Sequence, residues 1–382
     1  GYRTAPMMAL LWTPLCTAGV VWATRRYVPA AAGSGIPQVM AALDPQAPAD
    51  SPARWVSLKI SAAKVALTSG GLLAGLSVGR EGPSVQVAAG IMLAARRWLP
   101  ERSAVTVHGL LVAGGAAGIA AAFNAPLAGI MFAIEELSRT PEQRNSGLLM
   151  AAIVLAGLMA VSVYGNATYF GIIHATGVDM SLLPALVLVA VASGLAGGLF
   201  ARLLQLSLGA QQRDLFSRLR RAHPVLFAAL CGLIVAIIGL ASAGATFGSG
   251  YLHTREMLAG HEEAPALYLL LKFVATWLTA WSGTPAGIFA PSLAIGAAVG
   301  NDVALLLHAQ NAPALIALGM VGFLAAATQA PLTSFIIVME MVDGHEMVLS
   351  LMACAMVART ISKVISPPLY TVLAQQQLAQ AS

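Results

Sequence analysis

The chain has 382 residues, 58% of them hydrophobic and 10% charged, against roughly 25% charged in an ordinary soluble domain; its mean hydropathy is +0.78. This composition excludes a large water-soluble protein and reads as an integral membrane one. The formal charge of +5 comes from groups clustered between apolar segments without interleaved aromatics, which excludes a nucleic-acid partner and points to contact with membrane lipid.

Taken in chain order, apolar segments fall at about 7–24, 57–79, 83–95, 104–137, 147–172, 181–208, 224–246, 266–281, 287–308, 313–341 and 346–366. Basic clusters punctuate them: Arg25 and Arg26, Arg96 to Arg102, Arg213 to Arg221. Lys59, Lys64, His108 and Lys272 fall at or near segment ends and are expected to snorkel. Several segments are too short for the roughly 20 helical residues that cross a bilayer, and others are broken by Gly or Pro. Irregular backbone survives at membrane depth only where protein or a water-filled cavity surrounds it. Short, broken helices therefore predict a site inside the protein. The sequence shows no signal peptide and enters apolar sequence at about Met7, which reads as a truncated N-terminus.

The chain also repeats itself. Ala120 to Leu127 (AAAFNAPL), running on to Glu135, matches Ala325 to Leu332 (AAATQAPL), running on to Glu340, at an offset of 205 positions. Gly82-Pro83-Ser84 matches Ala290-Pro291-Ser292, and Gly33-Ser34-Gly35 matches Gly248-Ser249-Gly250. The expected organisation is two related membrane repeats, 1–205 and 206–382, with a transport site at their interface.

GSGIP (33–37), GREGP (79–83), GIFAP (287–291) and, less clearly, Asn124-Ala-Pro126 each look like a helix start with Pro in or near its first turn. The unpaired N–H groups and positive dipole end of such a start bind an anion without a fixed cation. Ser34 reads as a hydroxyl donor to that anion or as a helix cap. Tyr370 reads as a phenolic donor or an interfacial anchor. Glu81 lies at membrane depth, where a carboxylate is a functional residue by default. Its two readings are a salt bridge with Arg80 and occupancy of the anion site, released on protonation. Glu135 and Glu136 read as a solvated helix end paired with Arg139, or as a proton relay toward Glu81. Glu340 matches Glu135 while Met341 stands where Glu136 would be, so Glu135 and Glu340 are expected to share a structural job that Glu136 does not.

Cys16, Cys231 and Cys354 are isolated in apolar sequence and predict neither disulfide nor metal site. No metal set and no nucleophile with a placed base is visible, so the expectation is no enzyme, no cofactor and no metal.

The motifs GSGIP, GREGP, AAFNAPLAGIMFAIEE (121–136), GIFAP and PLY (368–370), in that order, resemble the CLC family of chloride channels and chloride/proton exchangers. The resemblance implies an all-α polytopic membrane protein with two inverted repeats and broken, re-entrant helices. It also implies a homodimer with one anion pathway per subunit, in a bacterial inner membrane. By the same likeness Ser34, Ile288, Phe289 and Tyr370 line the anion site, Glu81 is the outer gating glutamate, and Glu136 the inner proton-transfer glutamate. The implied function is secondary active exchange of chloride for protons, with a passive voltage- or pH-gated chloride channel as the alternative. Departures are Gln38 and Ala286, where many relatives have Glu and Gly, the missing first helix, and no room for cytoplasmic nucleotide-binding modules.

Overall fold

The computed structural model describes residues 6–45, 47, 52–100, 104–138, 146–165, 168–171, 183–209, 214–260, 267–309 and 311–381. Apart from one isolated bridge, the regular elements among these residues are helices. The first group comprises α1 (Ala9–Tyr27), α2 (Ile36–Leu43), α3 (Pro52–Trp55), α4 (Leu58–Leu73), α5 (Glu81–Ala95), α6 (Val107–Phe123), α7 (Pro126–Phe132), α8 (Ser146–Tyr164) and α9 (Leu183–Leu208). It is followed by α10 (Leu215–Ala222), α11 (Pro224–Ala241), α12 (Tyr251–Leu258), α13 (Tyr268–Trp281), α14 (Phe289–Leu306) and α15 (Ala312–Thr328). The chain closes with α16 (Pro331–Val342), α17 (Val348–Ile365) and α18 (Leu369–Ala381). A π-helical turn, Ala133–Ser138, extends α7.

Among the described residues six helical stretches are long and apolar enough to cross a bilayer, including Pro6–Tyr27, Leu183–Leu208, Phe289–Leu306 and His345–Ile365. Leu15, Leu195, Ile237 and Val364 project from such helices and are exposed, as lipid-facing positions should be. The chain is a multi-pass membrane protein. Residues 289–306 differ from the other spans in being mostly buried within the protein, so α14 runs through the interior.

Close packing of small residues builds that interior. A Cβ on Gly114 or Gly118 of α6 would meet the Ala88 and Ser84 carbonyls of α5 at 2.8 and 2.7 Å, nearer than a real Cβ can come. Gly296, Gly300 and Gly319 do the same between α14 and α15. The ends of α6 and α15 also correspond. Thr106 and Asn311 cap their N-termini through side-chain oxygens, and Asn124 and Gln329 end them in the left-handed conformation at φ 52° and 63°.

Residues matched by the repeat also touch one another. Gly79 and Gly287 exchange two backbone hydrogen bonds, 2.8 and 2.9 Å. Glu135 accepts from the amides of Leu332 and Thr333, while Glu340 accepts from those of Leu127 and Ala128. A contact from i to j matched by one from j to i is what a two-fold relation imposes.

Candidate functional site

Three broken loops meet where α2, α5 and α14 begin. The Gly79–Gly287 bridge joins GREGP to GIFAP, and the Ala286 amide donates to the Gly33 carbonyl at 3.1 Å. The two departures noted in the sequence therefore serve the site. Ala286 is buried and supplies the link to GSGIP. Gln38 accepts from the Gly35 amide at 3.0 Å and donates to the Ala32 carbonyl, holding the Gly-Ser-Gly turn from both sides as a neutral amide can.

Glu81 opens α5 and is fully buried. Its Oε2 accepts a hydrogen bond from the Ala290 amide in the first turn of α14 at 3.3 Å, while Oε1 has no partner. The carboxylate folds back so far that a Cβ on Gly79 would collide with it. The Arg80 guanidinium lies over the Tyr169 ring, 5.9 Å from the centroid, and within electrostatic range of Glu81. The negative side chain thus sits on helix-start amides, the arrangement expected of an anion.

On the other side of these starts, Ser34 Oγ presses against Gly82, where no larger residue would fit. The Tyr370 hydroxyl faces Ser34, yet neither oxygen has a hydrogen-bond partner. Tyr370 opens α18, is buried, and stacks on the Phe289 ring at 6.0 Å with planes 10° apart. That excludes the interfacial-anchor reading. Ile288 and Phe289 stand at the N-cap and first position of α14, both buried. Two unmet hydroxyls cost about 1–3 kcal/mol each unless something accepts from them. An anion between them is the chemistry they lack.

Glu136 is buried in the π-helical turn, with Tyr370 within electrostatic range of both Glu136 and Glu81. Met341, its counterpart in the second repeat, is a buried apolar residue. Glu135 is no solvated helix end, since it caps α16 across the repeat boundary; the Arg139 partnership lies outside the described residues.

The site is approached by two cavities. One, about 590 Å³, reaches Ser34, Ile288 and Tyr370; the other, about 470 Å³, reaches Arg80, Glu81 and Tyr169.

Lys64 and Lys272 correct the snorkelling expectation. Both are fully buried. Lys64 Nζ donates to the Ala31 and Gly33 carbonyls at 2.8 and 2.6 Å, and Lys272 Nζ to those of Thr246 and Gly248 at 2.9 and 2.8 Å. Each ammonium therefore fixes a Gly-Ser-Gly turn, one per repeat. The sequence carried a signal that the two lysines correspond, since their offset equals that between Gly82 and Ala290.

A family model described as "voltage gated chloride channel" matches residues 16–363. The chain belongs to the CLC family. CLC proteins move chloride across membranes, as channels or as chloride/proton antiporters, and are not enzymes. The chain is 30% identical to an H(+)/Cl(-) exchange transporter ClcA of Klebsiella pneumoniae subsp. pneumoniae, covering 99% of this chain and 80% of the relative. It is 32% identical to a ClcA of Cronobacter sakazakii over 98% of this chain and 80% of the relative. Among solved structures, a slow cyanobacterial Cl-/H+ antiporter superposes with a TM-score of 0.82 at 26% identity, covering 98% of this chain and 88% of that one. A CLC-type fluoride/proton antiporter superposes at 0.77 with 22% identity over 97% and 89%, a likeness of fold. Among the described residues no cluster of three or more His, Cys, Asp or Glu could hold a metal, and the CLC ligands are the transported ions.

Proposed function

We propose that this CLC protein is a secondary active chloride/proton antiporter. The observation that carries the reading is Glu81, a buried carboxylate whose one bond to another helix start is a 3.3 Å contact with the Ala290 amide. A side chain so weakly held on an anion site is replaceable by the transported anion, whereas a lysine there would bind too firmly for transit.

In this mechanism chloride enters through the 590 Å³ cavity and accepts from the Ser34 and Tyr370 hydroxyls and the first amides of α14. Its arrival competes with Glu81 for those amides. The displaced carboxylate swings toward the 470 Å³ cavity and takes a proton, since it has lost the donors that favoured its charged form. Glu136 supplies or removes that proton from the other side, past Tyr370. Return of the deprotonated Glu81 expels the anion, which couples the two movements. The ClcA relatives are H(+)/Cl(-) exchange transporters and the cyanobacterial structure is a Cl-/H+ antiporter, which supports the same activity here.

The reading extends to a homodimer with one pathway in each subunit, to inverted repeats meeting near residues 205 and 206, and to the bacterial inner membrane. Purified protein in vesicles, given a chloride gradient alone, is expected to move protons uphill while internal pH is followed directly. Sustained chloride flux with no proton movement would make it a passive channel.

A further inference from the structure

The cavity that reaches Ser34 and Tyr370 carries more positive charge than chloride entry requires. Four arginines from three elements line it: Arg25 of α1, Arg54 of α3, and Arg220 and Arg221 of α10. Among its described lining residues there is no carboxylate. Asp214, the acid nearest in sequence, is engaged as the N-cap of α10 and accepts from the Ser217 amide at 3.0 Å. Arg220 is the central member. Its Nη1 donates to the Ser207 carbonyl at 3.2 Å, and its buried Nε has no partner. Burial, then the neighbouring charges of Arg25 and Arg221, pull its pKa down to about 10. The Arg220 guanidinium, half-buried, with its Nε unmet and under the charges of Arg25 and Arg221, calls for an anion to compensate it.

From this we infer that the 590 Å³ cavity holds, at Arg220, a second anion site distinct from the central chloride site at Ser34 and Tyr370, and that this second site takes a phosphate-class oxyanion. Guanidinium forks match the paired oxygens of phosphate better than they match a halide sphere. Gln376 and Gln377 of α18 also line the cavity and add amide donors. The volume far exceeds one chloride ion. The arginine excess around this mouth, against Arg80 alone among the basic residues lining the other cavity, also places it on the cytoplasmic side, where phosphate compounds are present. An occupant there stands in front of Ser34 and Tyr370 and blocks chloride from that face.

The test is isothermal titration of the purified full chain with inorganic diphosphate at fixed chloride, in wild type, Arg220→Gln, Arg25→Gln and Arg218→Gln, each with a thermal melt. Arg218 is exposed on the same helix and does not line the cavity. Saturable binding of one diphosphate per chain is expected, weakened at least about tenfold by Arg220→Gln and left within about twofold by Arg218→Gln. Should Arg220→Gln fail to fold, Arg25→Gln is expected to weaken binding in the same direction. Titrations in phosphatidylcholine nanodiscs with and without phosphatidylglycerol identify the source: loss of diphosphate binding only with the anionic lipid names a lipid headgroup, and unchanged affinity names a free oxyanion. No saturable binding, or equal losses in Arg220→Gln and Arg218→Gln, would overturn the proposal.

Discussion

Carboxylates reach across to the N-termini of other helices in two regions among the described residues, and they do so differently. At α7 and α16 the closure is reciprocal and complete. Glu340 uses both oxygens on the Leu127 and Ala128 amides at 3.1 and 2.8 Å, and Glu135 uses both on Leu332 and Thr333 at 3.1 and 2.7 Å. At α14 Glu81 offers one oxygen to one amide at 3.3 Å and leaves the other unmet. The first pair staples two repeats; the second contact is loose enough to be exchanged. The same chemistry becomes structure or gate according to how many bonds the carboxylate makes.

The substitution with the largest expected effect is Glu81→Gln. Chloride-driven proton transport should fall by at least about 100-fold, while anion flux persists with a flattened pH dependence; unchanged coupling in a pH-electrode assay would remove the gate. Glu136→Gln should suppress proton movement by about 100-fold and hold anion flux within a few-fold. Normal coupling in that variant would show that the relay runs elsewhere.

The staple predicts the opposite pattern. Glu340→Gln and Glu135→Gln should each lower stability by about 1–2 kcal/mol, seen as an earlier melt, with the ratio of protons to chloride unchanged. Altered coupling in a folded staple variant would erase the distinction drawn between the two regions. Tyr370→Phe removes one hydroxyl donor and should weaken halide binding by about fivefold, roughly 1 kcal/mol; unaltered affinity by titration would mean that the hydroxyl does not face the anion.

The broken helix starts were legible in the sequence because Gly and Pro at a helix entry have few structural alternatives, and the motif order was specific enough to name the family. The shared job of Glu135 and Glu340 was legible from their matched positions. Which amides they cap was not, because those lie in the opposite repeat and hydrophobic periodicity carries no partner information. Lys64 and Lys272 were misplaced for a related reason. A lysine near a segment end snorkels if the end reaches the interface, but here the end turns inward onto carbonyls of a Gly-Ser-Gly loop. The choice between cap and anion donor for Ser34 needed the facing Tyr370 hydroxyl, which arrives from the far end of the chain.

That chloride and the Glu81 carboxylate compete for one set of amides is tested most directly by titrating chloride calorimetrically in buffers of different protonation enthalpy. If the account is right, chloride binding is accompanied by net proton uptake in the wild type, since the displaced carboxylate becomes easier to protonate, and by none in Glu81→Gln. Chloride binding without proton uptake in the wild type at every pH, or uptake that survives in Glu81→Gln, would contradict it.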